Sequence, residues 1–223
     1  MLATILKAAV SSTSDYPLLH NTICSVSRHW RAVAVASPDL WTDIRVAIRP
    51  KWAQESWFTP RAELPSMNTA IAWFNRSGSC LLDFHLNILH GADVDTLNRL
   101  TPILFHHAHR LESLSIHFSL PGVVKKLMTF LCKDEGNTVH LRRLDLRIDN
   151  KMHVTRSGFD TIYWNGGQLL TSLSISHFPF QLTMPIHQLT SLSHGCTENS
   201  EPVSCHVYIL PIFDDSCSQQ SPS

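Results

Sequence analysis

Fourteen histidines are spread over the 223 residues, and the densest group, His106-His107-Ala108-His109, is the first place to look for chemistry. Two imidazoles two residues apart can chelate a metal ion when the backbone between them is extended. Here the triplet closes a stretch with helical periodicity, where imidazoles complement the last free carbonyls. No cysteine or carboxylate stands near it at a zinc-site spacing. The structural role outweighs the metal one. Cys196, Cys205-His206 and Cys217 would make a site only if the fold gathered them, and the adjacent Asp214-Asp215 lies in a polar stretch that reads as solvated. There is no G-x-S-x-G elbow, no H-E-x-x-H helix and no phosphate-binding loop, and only eight glycines are available for close backbone approach to a ligand. The expectation is a chain that is not an enzyme and holds neither metal nor cofactor, and whose work is binding.

Composition narrows the partners. Eighteen basic and eighteen acidic side chains cancel, so no global field draws in nucleic acid or an anionic membrane. The cysteines at 24, 80, 132, 196, 205 and 217 contain no C-x-x-C pair and read as reduced thiols, which points to the cytoplasm or nucleus. Lys7 interrupts the apolar run from Leu2 to Val10, which argues against a signal peptide, and no apolar stretch is long enough for a membrane span. The length suits one domain with a sizeable core or a small module fused to a larger one.

The elements follow from hydrophobic spacing. Leu2, Ile5, Leu6 and Ala9 predict a first helix. Ile23, Val26, Trp30 and Val33 recur at helical intervals and predict a second, Ile23 to Val35, with Arg28, His29 and Arg31 on its other side. Such a stripe faces either an internal core or a partner, and periodicity leaves both open. Ser37 is placed to cap a short helix that starts at Pro38. Ile44, Val46 and Ile48 alternate as a strand. In the looser segment up to Pro65, Trp52, Trp57 and Phe58 read as plugs at the core edge, with partner anchoring as the alternative. Met67 to Arg76 has helical phase and ends at Ser77-Gly78-Ser79, and Leu82, Phe84, Leu86 and Ile88 alternate strictly.

Beyond this point a phrase recurs. Leu111-x-x-Leu114-x-Ile116-x-Phe118, Leu141-x-x-Leu144-x-Leu146-x-Ile148 and Leu170-x-x-Leu173-x-Ile175 share one pattern, and Leu189-x-x-Leu192 begins a weaker copy. These read as irregular leucine-rich repeats, each a short strand with an outer return, the returns including helices over Val94 to His107 and Val123 to Cys132. The polar residues past Asp214 predict a disordered tail.

The segment Val26-Ser27-Arg28-His29-Trp30-Arg31-Ala32-Val33-Ala34, followed by Ser37-Pro38-Asp39-Leu40-Trp41, resembles the second half of an F-box as found in the large F-box families of mushroom-forming (basidiomycete) fungi. The residues that carry the resemblance are Val26, Arg28, Trp30, Arg31, Val33, Ala34, Pro38, Leu40 and Trp41. Pro17, Leu18 and Leu19 match the usual approach to that helix, although a turn with a hydrophobic staple explains them equally. The link Asn75-Arg76-Ser77-Gly78-Ser79-Cys80 resembles a recurring helix-to-strand join in the same proteins. The Leu-Pro-x-Glu helix that opens the family pattern has no counterpart here.

The resemblance implies a non-enzymatic substrate receptor of a cullin-RING, SCF-type ubiquitin ligase. Its helices would dock a Skp-type adaptor through Pro17, Leu18, Leu19, Ile23, Val26 and Trp30, and its repeats would hold a protein substrate of unknown identity. The alternative is a stand-alone leucine-rich scaffold whose N-terminal helices only cap the repeats. The expected architecture is an α+β or α/β solenoid: an F-box-like helical module over residues 1–45, a leucine-rich-repeat-like α/β stack over 46–213 and a tail over 214–223.

Overall fold

The computed structural model describes residues 2–11, 22–50, 67–89, 91–92, 94–118, 127–128, 131, 138–148, 161–163, 169–176, 181–184, 189–195 and 207–209. They form a mixed α/β fold on an open, six-stranded, wholly parallel sheet. Its strands are β1 (Asp43–Ile48), β2 (Leu82–Ile88), β3 (Leu111–Phe118), β4 (Arg143–Ile148), β6 (Ser172–Ser176) and β8 (Ser191–Gly195). They lie side by side in chain order. A second parallel sheet takes β5 (Thr161–Tyr163), β7 (Gln181–Met184) and β9 (Val207–Ile209), so from β4 onward successive strands alternate between the two sheets. The helices are α1 (Leu2–Ser11), α2 (Arg28–Val35), α3 (Met67–Arg76) and α4 (Val94–His106), with further helical residues at 22–26.

Register turns the recurring phrase into layers. Ile44, Phe84, Leu114, Leu144, Leu173 and Leu192 stand in one row across the six strands, and Val46, Leu86, Ile116, Leu146 and Ile175 form the next. Ile48, Ile88, Phe118 and Ile148 make the third. All are buried except Leu192, which is 50% exposed on the last strand. The helices cover this inner face with Ala70, Trp73 and Phe74 from α3 and Leu97, Leu100 and Leu104 from α4, joined by Leu127, Met128 and Leu131. Parallel sheets are normally covered on both faces and read as continuous apolar runs. The strict alternation here instead leaves one face polar.

Several expectations match closely. The Met67–Arg76 helix and the Leu82–Ile88 strand have the anticipated bounds, and the weak phrase at Leu189 does lead into a strand paired with β6. The expected Ile23 to Val35 helix is instead broken at Ser27. That residue is extended, and its hydroxyl accepts a hydrogen bond from the Trp30 N–H (3.1 Å), so it caps α2. Arg31 Nε donates to the Cys24 carbonyl (2.7 Å), satisfying the end of the preceding turn. Ile23, in the turn before the break, is in the core at 4% exposed, and Trp30 and Val33 pack against the same core. Ser37 also differs from expectation. Its hydroxyl donates to the Val33 carbonyl (2.8 Å), closing α2, and gives no side-chain cap to the 3-10 turn Pro38–Trp41.

Leu6, Ile23, Ala34, Leu40 and Trp41 belong to the same continuous core as the strands, and the boundary anticipated after residue 45 falls inside β1. Pro17, Leu18, Leu19, Trp52, Trp57, Phe58 and the tail 214–223 lie outside the described residues, as does most of the helix expected over Val123 to Cys132.

The link after α3 is held from a distance. Gly78 has φ +56°, a left-handed conformation that costs glycine nothing, and Ser77 Oγ donates to the Phe74 carbonyl (2.8 Å). Buried Arg110, next to β3, donates from Nη2 to Ser77 Oγ (2.7 Å) and from both Nε and Nη2 to the Cys80 carbonyl (3.0 and 2.8 Å). The link is a hydrogen-bonded joint. By contrast, the buried Thr138 hydroxyl has no hydrogen-bond partner among the described residues. Thr138→Val is therefore expected to raise stability by about 1 kcal/mol. The check is a higher urea midpoint at unchanged slope; a lower midpoint means the hydroxyl is bonded in solution.

Candidate functional site

The outward residues of the alternating strands form a polar lattice. One row across the sheet reads Asp43, Asp83, Ser113, Arg143, Ser172, Ser191, and the next Arg45, His85, Ser115, Asp145, Ser174, Ser193. The third holds Ala47, Asn87, His117, Arg147 and Ser176. Side chains at i and i+2 share a face, so the spacing that buries the leucines also aligns these groups.

The charges on this face are matched. Arg45 pairs with Asp43 and Arg147 with Asp145 along their own strands, each at 2.9 Å. Arg143 reaches over Ser113 of β3 to Asp83 of β2 at 2.8 Å, a span that the small serine leaves open. His85 stands 3.7 Å from Asp43. Burial holds its pKa below the usual histidine value, with Arg45 adding to the effect against the opposing pull of Asp43, Asp83 and Asp145. The β6 and β8 side carries only serines and a glycine, so the face steps down from a charged ridge to a low shelf. A cleft of about 460 Å³ lies at that step, lined by residues of β2, β3, β4 and β6 that include Arg143, Asp145, Arg147 and Ser174.

This surface offers donors and acceptors in fixed rows, which suits recognition of an extended polar partner. Ser115 Oγ donates to Asp145 at 3.4 Å and His85 lies by Asp43, so neither is part of a serine–imidazole pair. Among the described residues, no three His, Cys, Asp or Glu side chains come together as a metal site. None of the lattice residues was singled out in the sequence. The available cue was the position beside each apolar residue of the repeated phrase.

The histidine triplet is placed structurally. His107 stacks flat on Phe74, with centroids 4.9 Å apart and planes 3° apart, and meets His106 edge-on at 4.8 Å. Arg110 Nη1 lies 3.2 Å from His107 Nδ1, which must therefore accept, leaving the ring proton on Nε2. Burial, then the Arg110 charge, then His106 and His109, push the His107 pKa from 6.5 down to about 4. The unfolded chain thus takes up a proton that the folded chain refuses, and His107 lowers stability as pH falls from 6.5 towards 4. His107→Gln, which does not titrate, is expected to flatten that slope in urea titrations across the window. Parallel slopes for the two proteins would contradict this.

Of the anticipated adaptor contacts, Ile23 is buried in the core. Val26 is 55% exposed, and Trp30 is half-buried against the core with part of its indole on the surface. Pro17, Leu18 and Leu19 are outside the described residues. Among those residues, no helix is long and apolar enough to cross a membrane. No family model matches the chain, and no curated protein or solved structure matches it either.

Proposed function

We propose that this chain is an F-box-like substrate receptor of an SCF-type cullin-RING ubiquitin ligase, with no bond chemistry of its own. In this reading the strands are successive turns of an irregular leucine-rich solenoid, residues around Val26 and Trp30 dock a Skp-type adaptor, and the polar sheet face holds a protein substrate. The observation that carries it is the one-sided parallel sheet: six strands in chain order, with an open face of aligned donors and acceptors. The F-box resemblance of Arg28, Trp30, Arg31, Pro38, Leu40 and Trp41 supplies the ligase context. The contribution to ubiquitin transfer is proximity, raising the effective concentration of a substrate lysine at the conjugating enzyme.

A second reading rests on a specific observation. Leu6, Ile23 and Ala34 share the core of the strands, as expected of N-terminal helices that only cap a stand-alone leucine-rich scaffold.

Pull-down of the full chain with a purified fungal Skp-type adaptor separates the two. Capture is expected, and Val26→Asp, which changes an exposed side chain, is expected to weaken it by about tenfold or more while the circular dichroism stays unchanged. A folded wild-type chain that ignores the adaptor sinks the ligase reading and leaves the scaffold.

A further inference from the structure

A separate cleft of about 510 Å³ runs between α2 and α3, over Trp41 and Trp73. Arg31 and Val35 border it on one side, and Asn68, Ala72 and Arg76 on the other. The α3 residues recur every four positions, so they form one stripe, about 12 Å from Asn68 to Arg76 at the helical rise of 1.5 Å per residue. Val26 and Trp30 are not among the lining residues, so this is a different surface from the proposed adaptor contact.

Its charge is unlike that of the sheet. On the sheet face Arg45, Arg143 and Arg147 each sit against an aspartate. Among the described residues the lining of the α2–α3 cleft has two arginines and no acidic side chain, and neither Arg31 nor Arg76 is ion-paired with a described carboxylate. Both are nonetheless held in place. Arg31 is tied through Nε to the Cys24 carbonyl, and the Arg76 guanidinium lies 4.6 Å from the Trp41 ring centroid. Cations fixed before binding lose little entropy when a carboxylate arrives. The rest of the lining is mixed: Ser25, Asn68 and Thr69 are polar, and Ala72 and Val35, which is 44% exposed, offer apolar surface.

We propose that this cleft docks an acidic polypeptide segment in which carboxylates reach Arg31 and Arg76 and an apolar side chain settles on Val35 and Ala72. The arginines stand on different helices, Arg31 on α2 and Arg76 on α3, whereas a small oxyanion needs donors that converge on one point. Nucleic acid is disfavoured by the chain's zero net charge. The site stands whether or not the chain joins a ubiquitin ligase.

Fluorescence anisotropy with the full chain tests it, using a labelled peptide of glutamates around two leucines. One control peptide carries lysines in place of the glutamates, another serines in place of the leucines, and inorganic phosphate serves as competitor. The acidic leucine peptide is expected to bind best and to weaken with salt. Affinity should fall about tenfold in Arg31→Gln/Arg76→Gln and stay unchanged in Arg143→Gln/Arg147→Gln. Val35→Asp, at an exposed position, is a second variant expected to lose binding should the double variant fold poorly. Equal losses in both arginine pairs, or a serine peptide that binds as well and is displaced by phosphate, would overturn the proposal.

Discussion

Trp41→Ala is expected to cost about 3–5 kcal/mol of folding stability, enough to leave much of the chain unfolded under mild conditions. The indole is 1% exposed and lies 6.2 Å, centroid to centroid, from the Trp73 ring at 49°. Its Nε1 donates to the Ala34 carbonyl at 2.8 Å, closing the end of α2, and Arg76 covers the ring. Alanine would remove the buried surface, open a cavity between α2, α3 and β1, and take one of the two hydrogen bonds from the Ala34 carbonyl, leaving it the Ser37 N–H at 3.2 Å. Denaturant titration measures the loss. Trp41→Phe, which keeps most of the ring and loses the donor, is expected to fall between wild type and alanine. Trp30→Ala should cost clearly less, because that indole is only half-buried. If the two alanine variants were equally destabilised, the assignment of Trp41 as the anchor of the N-terminal helices would fail.

Arg110→Met should cost about 3 kcal/mol, since it strips the joint after α3 of its donors while keeping most of the buried volume. The Cys80 carbonyl would lose two bonds, Ser77 Oγ its donor and His107 Nδ1 its partner. Arg110→Lys is expected to rescue little, because one ammonium cannot bridge a carbonyl, a hydroxyl and an imidazole as a planar guanidinium does. A second readout separates this from generic core damage. Without the Arg110 charge the His107 pKa rises from its depressed value, which narrows the pH range over which that histidine lowers stability; imidazole resonances followed by NMR would show it. A variant of near wild-type stability would mean that water replaces the guanidinium.

Much of the scaffold was legible from local pattern. Leu82 to Ile88 alternates because one strand face is buried, and the positions of Ala70, Trp73 and Phe74 in α3 mark a helix face. The candidate binding face was legible only by implication. Ser113, Arg143 and Asp145 are unremarkable as single residues, and they become a surface once parallel pairing sets them in adjacent rows. The stripe Ile23, Val26, Trp30 and Val33 was drawn on one continuous helix, and Ser27 divides that helix in two.

What the sequence alone determined, then, were the strands of the six-stranded sheet and their layered apolar face, because period and turn chemistry act over a few residues; the short strands β5, β7 and β9 of the second sheet were not foreseen. Tertiary structure decided where the chemistry lies. Arg110 meets Cys80 and Ser77 across 30 and 33 residues, and Arg143 meets Asp83 across 60. The helical turn that carries buried Ile23 and exposed Val26 ends at Ser27, where a serine hydroxyl takes the Trp30 N–H that an unbroken helix would give to the backbone. Such outcomes depend on strand register and on which of two nearby acceptors wins a hydrogen bond, and neither is encoded in hydrophobic spacing.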